Sequence, residues 1–270
     1  MKRIGKVLSL LFMLSMVLSA CGSKSASTGE DTSLKYIKDK GELVLGLDAS
    51  FPPMGFKDDS GNIVGFDIDL AKEVCSRMGV TLKLQPVDWN NKEMELTTKN
   101  IDLIWNGLSY SEDRNEKMTL SESYMTNRQV IVVLADSSIK ALADLKGKTV
   151  SLQSGSTASE AMDKNKEVKD SLKEVVKIDD NVKAMMDLQV NGSDAVAMDE
   201  VVARYYSEQN QGKYRILDET LSDEKYVIGF RKGDQGLCDE VVKYLKEMKQ
   251  DGKLAEISTK WFGSDITTLQ

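Results

Sequence analysis

Three polar side chains have the chemistry to bind the charged groups of a small molecule. Arg114 carries a guanidinium whose two parallel N–H donors match the two oxygens of a carboxylate. Thr157 closes the segment Gly155-Ser156-Thr157, which follows a predicted strand and opens a predicted helix, where backbone N–H groups favour an anion. Asp199 follows an apolar predicted strand, and a carboxylate at that end of a parallel strand faces the crevice where such sheets bind ligands.

Each of these residues also has a purely structural interpretation. Arg114 stands among charged residues, so the local sequence alone favours a solvated side chain. A Gly-Ser-Thr segment is common in loops. Asp199 is a favoured N-cap for the helix predicted to start at Val201. The three residues by themselves therefore leave a binding role and a structural role open.

The composition restricts the chemistry further. The chain has no histidine, and 43 acidic residues against 36 basic ones give a net charge of −7. An acidic body argues against nucleic acid and against anionic lipid surfaces as partners. Without histidine the chain lacks the commonest general base and metal ligand, so catalysis would depend on Asp48, Glu93 or Asp199. We expect no catalytic residue, no metal and no cofactor.

The N-terminus has the pattern of an export signal. Lys2, Arg3 and Lys6 precede the almost uncharged apolar run 7–20, which ends in Leu-Ser-Ala before Cys21. We predict a signal peptide over residues 1–20 and lipidation (palmitate) of Cys21, which would anchor the protein in the membrane. The alternative is an ordinary signal peptide with a chance cysteine. Residues 21–33, rich in Ser, Gly and Thr, are predicted to be the lipidated cysteine and a flexible tether.

Two further cysteines, Cys75 and Cys238, lie far apart in the sequence. A disulfide between them cannot be deduced from sequence alone, and both fall in predicted helices, so buried free thiols are at least as consistent with the pattern.

Short apolar runs alternate with helical periodicity through the rest of the chain, which predicts an α/β fold with largely parallel sheets. The predicted strands are 43–47, 81–87, 101–105, 128–135, 149–153, 195–198 and 225–231. The predicted helices are 68–78, 90–99, one from residue 157, 184–190, 201–206, 236–250 and 253–262. The strand-and-helix layout starts a second time near residue 128, which favours two lobes with a cleft between them. One continuous sheet is the alternative.

An ordered set of motifs resembles the amino-acid-binding (family 3) extracellular solute-binding proteins of ABC importers. Any one motif is weak, but their order across residues 41–263 is specific. The motifs are GLDASFPP (46–53), GFDIDLA (65–71), SEDR (111–114), DLKGKTV (144–150), QSGST (153–157), DAVAMDE (194–200), GKL (252–254) and KWFG (260–263).

The resemblance implies a two-lobed, periplasmic-binding-protein-like (type II) α/β fold that encloses its ligand between the lobes. Lobe 1 would comprise residues 34–127 and 230–270, and lobe 2 residues 128–229. The two crossover strands would lie near 127–133 and 226–231. Some relatives have a disulfide between the position of Cys75 and one seven residues later, but here that second position is Leu82, so this disulfide is absent.

The same resemblance assigns ligand contacts. It implies that Arg114, Thr157 and Ser109 bind the carboxylate of an amino acid and that Asp199 and a backbone carbonyl near Gly107 bind its ammonium. Phe51 and Trp89 would enclose the ligand side chain, with Trp105 as another candidate, whereas Phe66 is expected in the core. Asp48 would contact a distal amide or cationic group, which favours a polar or charged amino acid.

These inferences together predict an extracellular substrate-binding lipoprotein, a monomer on the outer face of the cell membrane that delivers an amino acid to an ABC permease. Two other functions use the same scaffold. A lyase- or dehydratase-like enzyme would show turnover, and a sensor domain would need a transmembrane helix and an output module.

Overall fold

The computed structural model of the protein describes residues 31–270. The predicted signal peptide, the lipidation site Cys21 and most of the predicted tether lie outside the described residues. A compact unit begins at Asp31, because Asp31 and Ser33 accept hydrogen bonds from the backbone amides of Gly236 and Leu237. Among residues 31–270, no helix is both long enough and apolar enough to cross a membrane.

Strands and helices alternate along the body. The strands are β1 (Glu42–Leu47), β2 (Ser50–Phe51), β3 (Gly55–Lys57), β4 (Ile63–Val64), β5 (Thr81–Pro86), β6 (Leu103–Ser109), β7 (Met118–Leu120), β8 (Met125–Leu134), β9 (Thr149–Gln153), β10 (Glu174–Ile178), β11 (Ala195–Asp199) and β12 (Tyr214–Arg231). The helices are α1 (Ser33–Lys40), α2 (Phe66–Met78), α3 (Lys92–Thr97), α4 (Glu112–Lys117), α5 (Thr157–Lys164), α6 (Lys166–Ser171), α7 (Asn181–Gln189), α8 (Glu200–Gln209), α9 (Gln235–Gln250) and α10 (Lys253–Phe262). Every predicted element has a counterpart among them.

Nine of these strands form one hydrogen-bonded sheet, in the order β10-β9-β11-β8-β12-β6-β1-β5, with β7 also paired to β12. The pairs β1–β5, β1–β6, β9–β10 and β9–β11 are parallel. Strands β5, β1, β6 and β7 make up the first half of the sheet, and β10, β9 and β11 the second half. Hydrogen bonding is continuous between the halves because β8 and β12 run through both.

A two-stranded ribbon connects the halves. In this connecting ribbon, residues 125–129 of β8 pair antiparallel with residues 222–226 of β12. The register of β12 shifts on either side of it, between Ile216 and Ser222 and again between Val227 and Gly229. Such irregularities locally interrupt the hydrogen-bond ladder and bend a strand, and here they separate the ribbon from the ladders of the two halves.

A small sheet of β2, β3 and β4 follows the carboxyl end of β1. The peptide bond between Pro52 and Pro53 in this segment is cis. Gly65 has φ 145° and ends the small sheet at the start of α2. A Cβ at Gly65 would stand 2.2 Å from the carbonyl oxygen of Met54, so the close approach of these two chain segments requires glycine.

The three hydrophobic clusters of the described residues follow this layout. One cluster spans both halves and includes Leu45 and Val196, a second packs Ile131 and Leu152 under α5, and a third surrounds Ile104 and Leu108. Cys75 of α2 and Cys238 of α9 belong to the first cluster as free buried thiols. Burial raises the pKa of each thiol to about 12, so both behave as packed apolar side chains.

An aspartate with the same hydrogen bonds precedes β6 in the first half of the sheet and β11 in the second half. The carboxylate of Asp102, just before β6, accepts hydrogen bonds from Val44 N (2.8 Å) and Lys40 Nζ (2.7 Å). Just before β11, the carboxylate of Asp194 accepts hydrogen bonds from Thr149 N (2.8 Å) and Lys148 Nζ (3.3 Å). The backbone amide of each aspartate also donates to the carbonyl of the neighbouring strand, at 2.8 Å in both halves. Each aspartate therefore fixes the stagger of two parallel strands.

The environments of these two aspartates differ, which gives a matched stability test. The side chain of Asp102 is 2 % exposed and that of Asp194 is 40 % exposed. We expect Asp102→Ala to lower the free energy of unfolding by about 2 kcal/mol, because it leaves a buried amide and a lysine without an acceptor. Asp194→Ala should cost less than about 1 kcal/mol, because water can replace the lost carboxylate. Urea denaturation of both variants measures the difference, and equal losses would contradict this account.

Candidate functional site

The polar residues named from the sequence gather where the two halves of the sheet meet. Parallel strands β1 and β6 end at Leu47 and Ser109, and parallel strands β9 and β11 end at Gln153 and Asp199. Ligands of α/β sheets bind at the carboxyl ends of parallel strands. Side chains from the two halves contact each other directly here: Gln153 Nε2 donates to Asp48 Oδ2 at 2.7 Å, and Lys92 Nζ donates to the carbonyl of Gly155 at 3.1 Å.

Arg114 is a buried cation at this junction. It lies in the short helix α4, where Ser111 Oγ accepts from its backbone amide at 3.3 Å, and the residue is 3 % exposed. Its Nη1 donates to the carbonyl of Ser109 at 2.7 Å, and its Nη2 lies 3.3 Å from Glu160 Oε1 of α5 in the other half. The solvated side chain that local sequence favours is therefore not observed, because the guanidinium is held between the last residue of β6 and Glu160 of α5.

A carboxylate that the sequence analysis missed lies between the two predicted hydroxyl ligands. Glu224 Oε2 accepts from Ser109 Oγ (2.5 Å), Thr157 Oγ1 (3.0 Å) and Gln129 Nε2 (3.0 Å). Asn127 Nδ2 is 3.4 Å from the same oxygen. Glu224, Asn127 and Gln129 all come from the connecting ribbon. Ser109 and Thr157, from opposite halves, are thus brought together around one carboxylate.

Asp199 is a second buried acid beside Glu224. Its Oδ1 accepts from Asn127 Nδ2 and from the Tyr226 hydroxyl, both at 2.7 Å. Burial, reinforced by the negative charge of Glu224, raises the pKa of Asp199 to about 7. Asp199 occupies the N-cap position of α8, but its side chain makes no capping hydrogen bond. Its carboxylate is directed to Asn127 and Tyr226, so the capping alternative does not account for it.

Gly107 is close to Tyr226, whose hydroxyl donates to Asp199. It has φ 60°, and a Cβ there would stand 2.7 Å from Phe51 Cε1 and 3.3 Å from Tyr226 Cζ. Its backbone amide donates to Asp67 Oδ2 at 2.7 Å, and the Tyr124 hydroxyl donates to the same oxygen at 3.0 Å. Burial raises the pKa of Asp67 to about 7. Asp67 fixes the peptide of Gly107, and glycine is required because both its φ and its neighbours exclude a side chain.

Asp48 joins a separate polar network beyond Gln153. Its Oδ1 accepts from Ser50 N at 2.8 Å, and its own amide donates to Asn106 Oδ1 at 2.9 Å. Gln153 Oε1 accepts from Asn181 Nδ2 of α7 at 3.2 Å. Burial raises the pKa of Asp48, partly opposed by the hydrogen bond from Gln153. This network crosses the junction at a place distinct from the Arg114 and Glu224 contacts.

The aromatic candidates have different surroundings. Phe51 is buried against Gly107, beside the Asp199 network. Trp89 is 8 % exposed, with Lys92 Nζ 4.9 Å from its ring centroid and also donating to its carbonyl at 3.0 Å. Trp105 is fully buried and packs edge-on against Tyr124. Phe66 is likewise fully buried, against Tyr124 and Phe262, as expected for a core residue.

Several residues that contact the predicted site residues were absent from the sequence expectations. Four of them lie on the connecting ribbon: Asn127, Gln129, Glu224 and Tyr226. The fifth is Lys92, a buried lysine. Its pKa is lowered to about 8, first by burial and then by the positive charge of Arg114. One signal could have found Glu224: in a strand, residues i and i+2 share a face, so Glu224 is on the face of the buried Tyr226. Nothing comparable marks Lys92.

Two carbonyl oxygens near Asp199 remain available as acceptors. Among the described residues, Asn127 Oδ1 and Gln129 Oε1 are buried without a hydrogen-bond partner. The junction therefore combines a buried guanidinium and hydroxyl donors with a buried carboxylate and amide acceptors. Such an arrangement can hold one ligand that carries both an anionic and a cationic group.

Known proteins are similar to this chain in sequence and in fold. The sequence model of the bacterial extracellular solute-binding proteins, family 3, matches residues 43–264, which contain all the motifs identified above. The L-cystine-binding protein TcyJ of Escherichia coli (strain K12) is 30% identical over 261 residues, covering 96% of each chain. The arginine-binding extracellular protein ArtP of Bacillus subtilis (strain 168) is 33% identical over 255 residues, covering 92% of this chain and 94% of ArtP.

A solved structure agrees with both comparisons. An ABC uptake transporter substrate binding protein from Streptococcus pneumoniae, with bound histidine, superimposes with a TM-score of 0.86 at 37% identity, covering 89% of this chain and 100% of the other. The predicted α/β, two-lobed fold is thereby confirmed, and the resemblance inferred from the ordered motifs is correct. The chain belongs to the bacterial extracellular solute-binding proteins, family 3.

Proposed function

We propose that the protein binds a free amino acid with a polar or charged side chain between its two lobes and delivers it to the permease of an ABC importer. The observation that supports this most directly is the pairing of opposite charges at one buried junction. Arg114, Ser109 and Thr157 present donors, while Asp199, 4 % exposed, presents an acceptor beside Asn127. The relatives described above bind cystine, arginine and histidine, all of which carry polar or charged side chains.

The donors would bind the carboxylate of the amino acid and the acceptors its ammonium. A bidentate guanidinium–carboxylate contact from Arg114 would be joined by the hydroxyls of Ser109 and Thr157. Asp199 and the carbonyl region of Gly107 would bind the ammonium, and the free amide oxygens of Asn127 and Gln129 are additional acceptors. An enclosed zwitterion needs such partners for both charges, because an unpaired buried charge costs several kcal/mol.

The side chain of the ligand would extend toward Asp48. Phe51 and Trp89 would enclose its apolar part. The buried Asp48 carboxylate and the amides of Gln153 and Asn181 can bind an amide, a guanidinium or an ammonium. These groups favour a polar side chain over an aliphatic one, since an aliphatic group would leave them without partners.

Binding would bring the lobes together without chemical turnover. We assign lobe 1 to residues 34–127 and 230–270 and lobe 2 to residues 128–229, joined at the connecting ribbon. Arg114 alone cannot favour closure, because a ligand shifts a conformational equilibrium only through contacts that differ between its states. Contacts to Arg114 from one lobe and to Thr157 and Asp199 from the other supply that difference.

The membrane location is also part of the proposal. The family is extracellular, and the pattern ahead of Cys21 supports a lipid anchor on the outer face of the cell membrane. We expect the membrane fraction to contain a chain that starts at an acylated Cys21, and mass spectrometry of the N-terminal peptide detects it. Cys21→Ser should remove the acyl group from this peptide. Finding an intact Met1 in the membrane fraction would refute this assignment.

The ligand and the role of Arg114 can be tested together by thermal unfolding of the full-length chain against the common amino acids. A ligand at about 1,000 times its dissociation constant adds about 4 kcal/mol of stability, which corresponds to a midpoint shift of roughly 8–16 °C. We expect such a shift with a polar or charged amino acid. Arg114→Ala should weaken binding by about 100-fold or more, because it removes a buried bidentate contact.

Arg204→Ala is the matched control for Arg114→Ala. Arg204 is 62 % exposed and pairs with Glu200 within α8, so its loss removes the same charge without removing a donor from the junction. We expect unchanged affinity in this control. A similar loss in both variants would point to net charge rather than to carboxylate binding by Arg114.

The buried Asp199 predicts a pH dependence of binding. Because the pKa of Asp199 is raised to about 7, the unliganded protein is protonated there below neutral pH. The ammonium of a ligand needs the charged carboxylate, so binding below pH 7 must release this proton. The dissociation constant should therefore rise about tenfold per pH unit below 7, until the lower pKa of the bound state is reached. Calorimetry in buffers of different ionisation enthalpy measures the released proton, and a dissociation constant that stays the same from pH 7 to pH 6 would contradict this account.

A further inference from the structure

We propose that Glu224 is an internal competitor for the carboxylate subsite, which an incoming amino acid must displace before the site can close on it. This inference rests on the proposed function of the same site. It adds a residue that sets affinity and selectivity and that the family motifs do not mark.

The donors that hold Glu224 are those proposed for the ligand. Ser109 Oγ and Thr157 Oγ1 donate to Glu224 Oε2 at 2.5 Å and 3.0 Å. A hydroxyl has one proton and can donate to one acceptor at a time in good geometry. Glu224 and the carboxylate of a ligand therefore cannot both use these two hydroxyls. One of the two carboxylates has to leave.

Glu224 also disturbs the acceptor side of the site. Asn127 Nδ2 lies 2.7 Å from Asp199 Oδ1 and 3.4 Å from Glu224 Oε2, so one amide group is shared between two acids. Two neighbouring carboxylates repel each other. An amino acid that displaces Glu224 brings an ammonium to Asp199 at the same time, which replaces a repulsion by an attraction. An anion without an ammonium gains only an exchange of one carboxylate for another.

A cavity next to Glu224 can accommodate its displaced side chain. A cavity of about 590 Å³ lies beside Glu224, which forms part of its wall together with Asn127 and Tyr110. Arg128 and Lys225 also line this cavity, as do the acids Glu200 and Asp223. The main chain of Glu224 stays paired with Asn127 in the connecting ribbon, so only the side chain needs to rotate. Rotation would move the carboxylate from the hydroxyls to a wetter site, where Lys225 can pair with it while Arg128 stays bound to Glu200.

The test compares Glu224→Ala with Asp218→Ala in the full-length chain. Asp218 is an exposed acid of β12 outside the connecting ribbon and the cavity, so its loss removes the same charge without emptying the hydroxyl site. The probe is the amino acid that gives the largest thermal shift with the wild-type chain. We expect Glu224→Ala to bind it about tenfold more tightly by calorimetry, because the ligand no longer competes for charge-assisted hydrogen bonds, and Asp218→Ala to stay within about threefold of wild type.

Each outcome has a distinct meaning. Equal or weaker binding by Glu224→Ala, with normal binding by the wild type, overturns the competitor role and leaves the proposed function intact. Binding by Glu224→Ala alone supports both proposals. Binding by neither chain overturns the proposed function and this inference with it.

Two further measurements guard against a folding artefact. If Glu224→Ala does not fold, Glu224→Gln keeps the size of the side chain while removing its charge, and it should also bind more tightly than wild type. A crystal structure of the wild-type complex should show Glu224 Oε2 beyond hydrogen-bond distance of Ser109 and Thr157. A complex in which Glu224 keeps both hydroxyls would refute the displacement.

Discussion

The burial of charged groups where the two halves of the sheet meet constrains the rest of the structure. Arg114, Lys92, Asp48 and Asp199 are each less than a tenth exposed, and Glu224 reaches the same region from the connecting ribbon. Removing such groups from water costs several kcal/mol each unless partners replace the lost hydration. Many of those partners come from the opposite half: Gln153 for Asp48, Glu160 for Arg114 and the Gly155 carbonyl for Lys92.

The connecting ribbon both joins the two halves of the sheet and contributes side chains to the candidate site. It carries the chain between the halves twice, and it presents Asn127, Gln129, Glu224 and Tyr226 to the site. A change in its twist therefore moves binding groups as well as the halves themselves. Under the proposed function, binding and bending would be coupled through the same residues, in contrast to an arrangement in which a hinge lies far from the ligand.

The sequence was sufficient to predict the helices and strands whose apolar residues recur with a clear period. Strands β1, β9 and β11 and helices α2, α9 and α10 were predicted almost to the residue, because each has a buried face or is fully buried. The first part of β12 was missed because residues 218–225 are mostly polar, and its pairing partner β8 lies far away in the chain. Strands β2 to β4 and β10 were missed because they are short or largely exposed.

The site was predictable only in part, for a related reason. Arg114, Thr157, Ser109 and Asp199 follow strands or sit in ordered motifs, so their positions are marked along the chain. Glu224 and Asn127 enter through a pairing between strands that are almost 100 residues apart, and no local pattern encodes that contact. Trp105 illustrates the opposite difficulty: the sequence predicted a strand that ends at Trp105, whereas β6 continues to Ser109 and Trp105 lies within it, fully buried against Tyr124.

The matched aspartates Asp102 and Asp194 have a consequence for how such a protein can evolve. They fix strand stagger at the amino ends of β6 and β11, whereas Asp48 and Gln153, proposed to contact the ligand side chain, lie at the carboxyl ends of the partner strands β1 and β9. Under the proposed function, mutations that alter ligand preference would therefore fall about one strand length away from the contacts that hold the frame. Such a division lets selection explore new ligands at small cost in folding, and it is consistent with relatives about one-third identical whose names specify different amino acids.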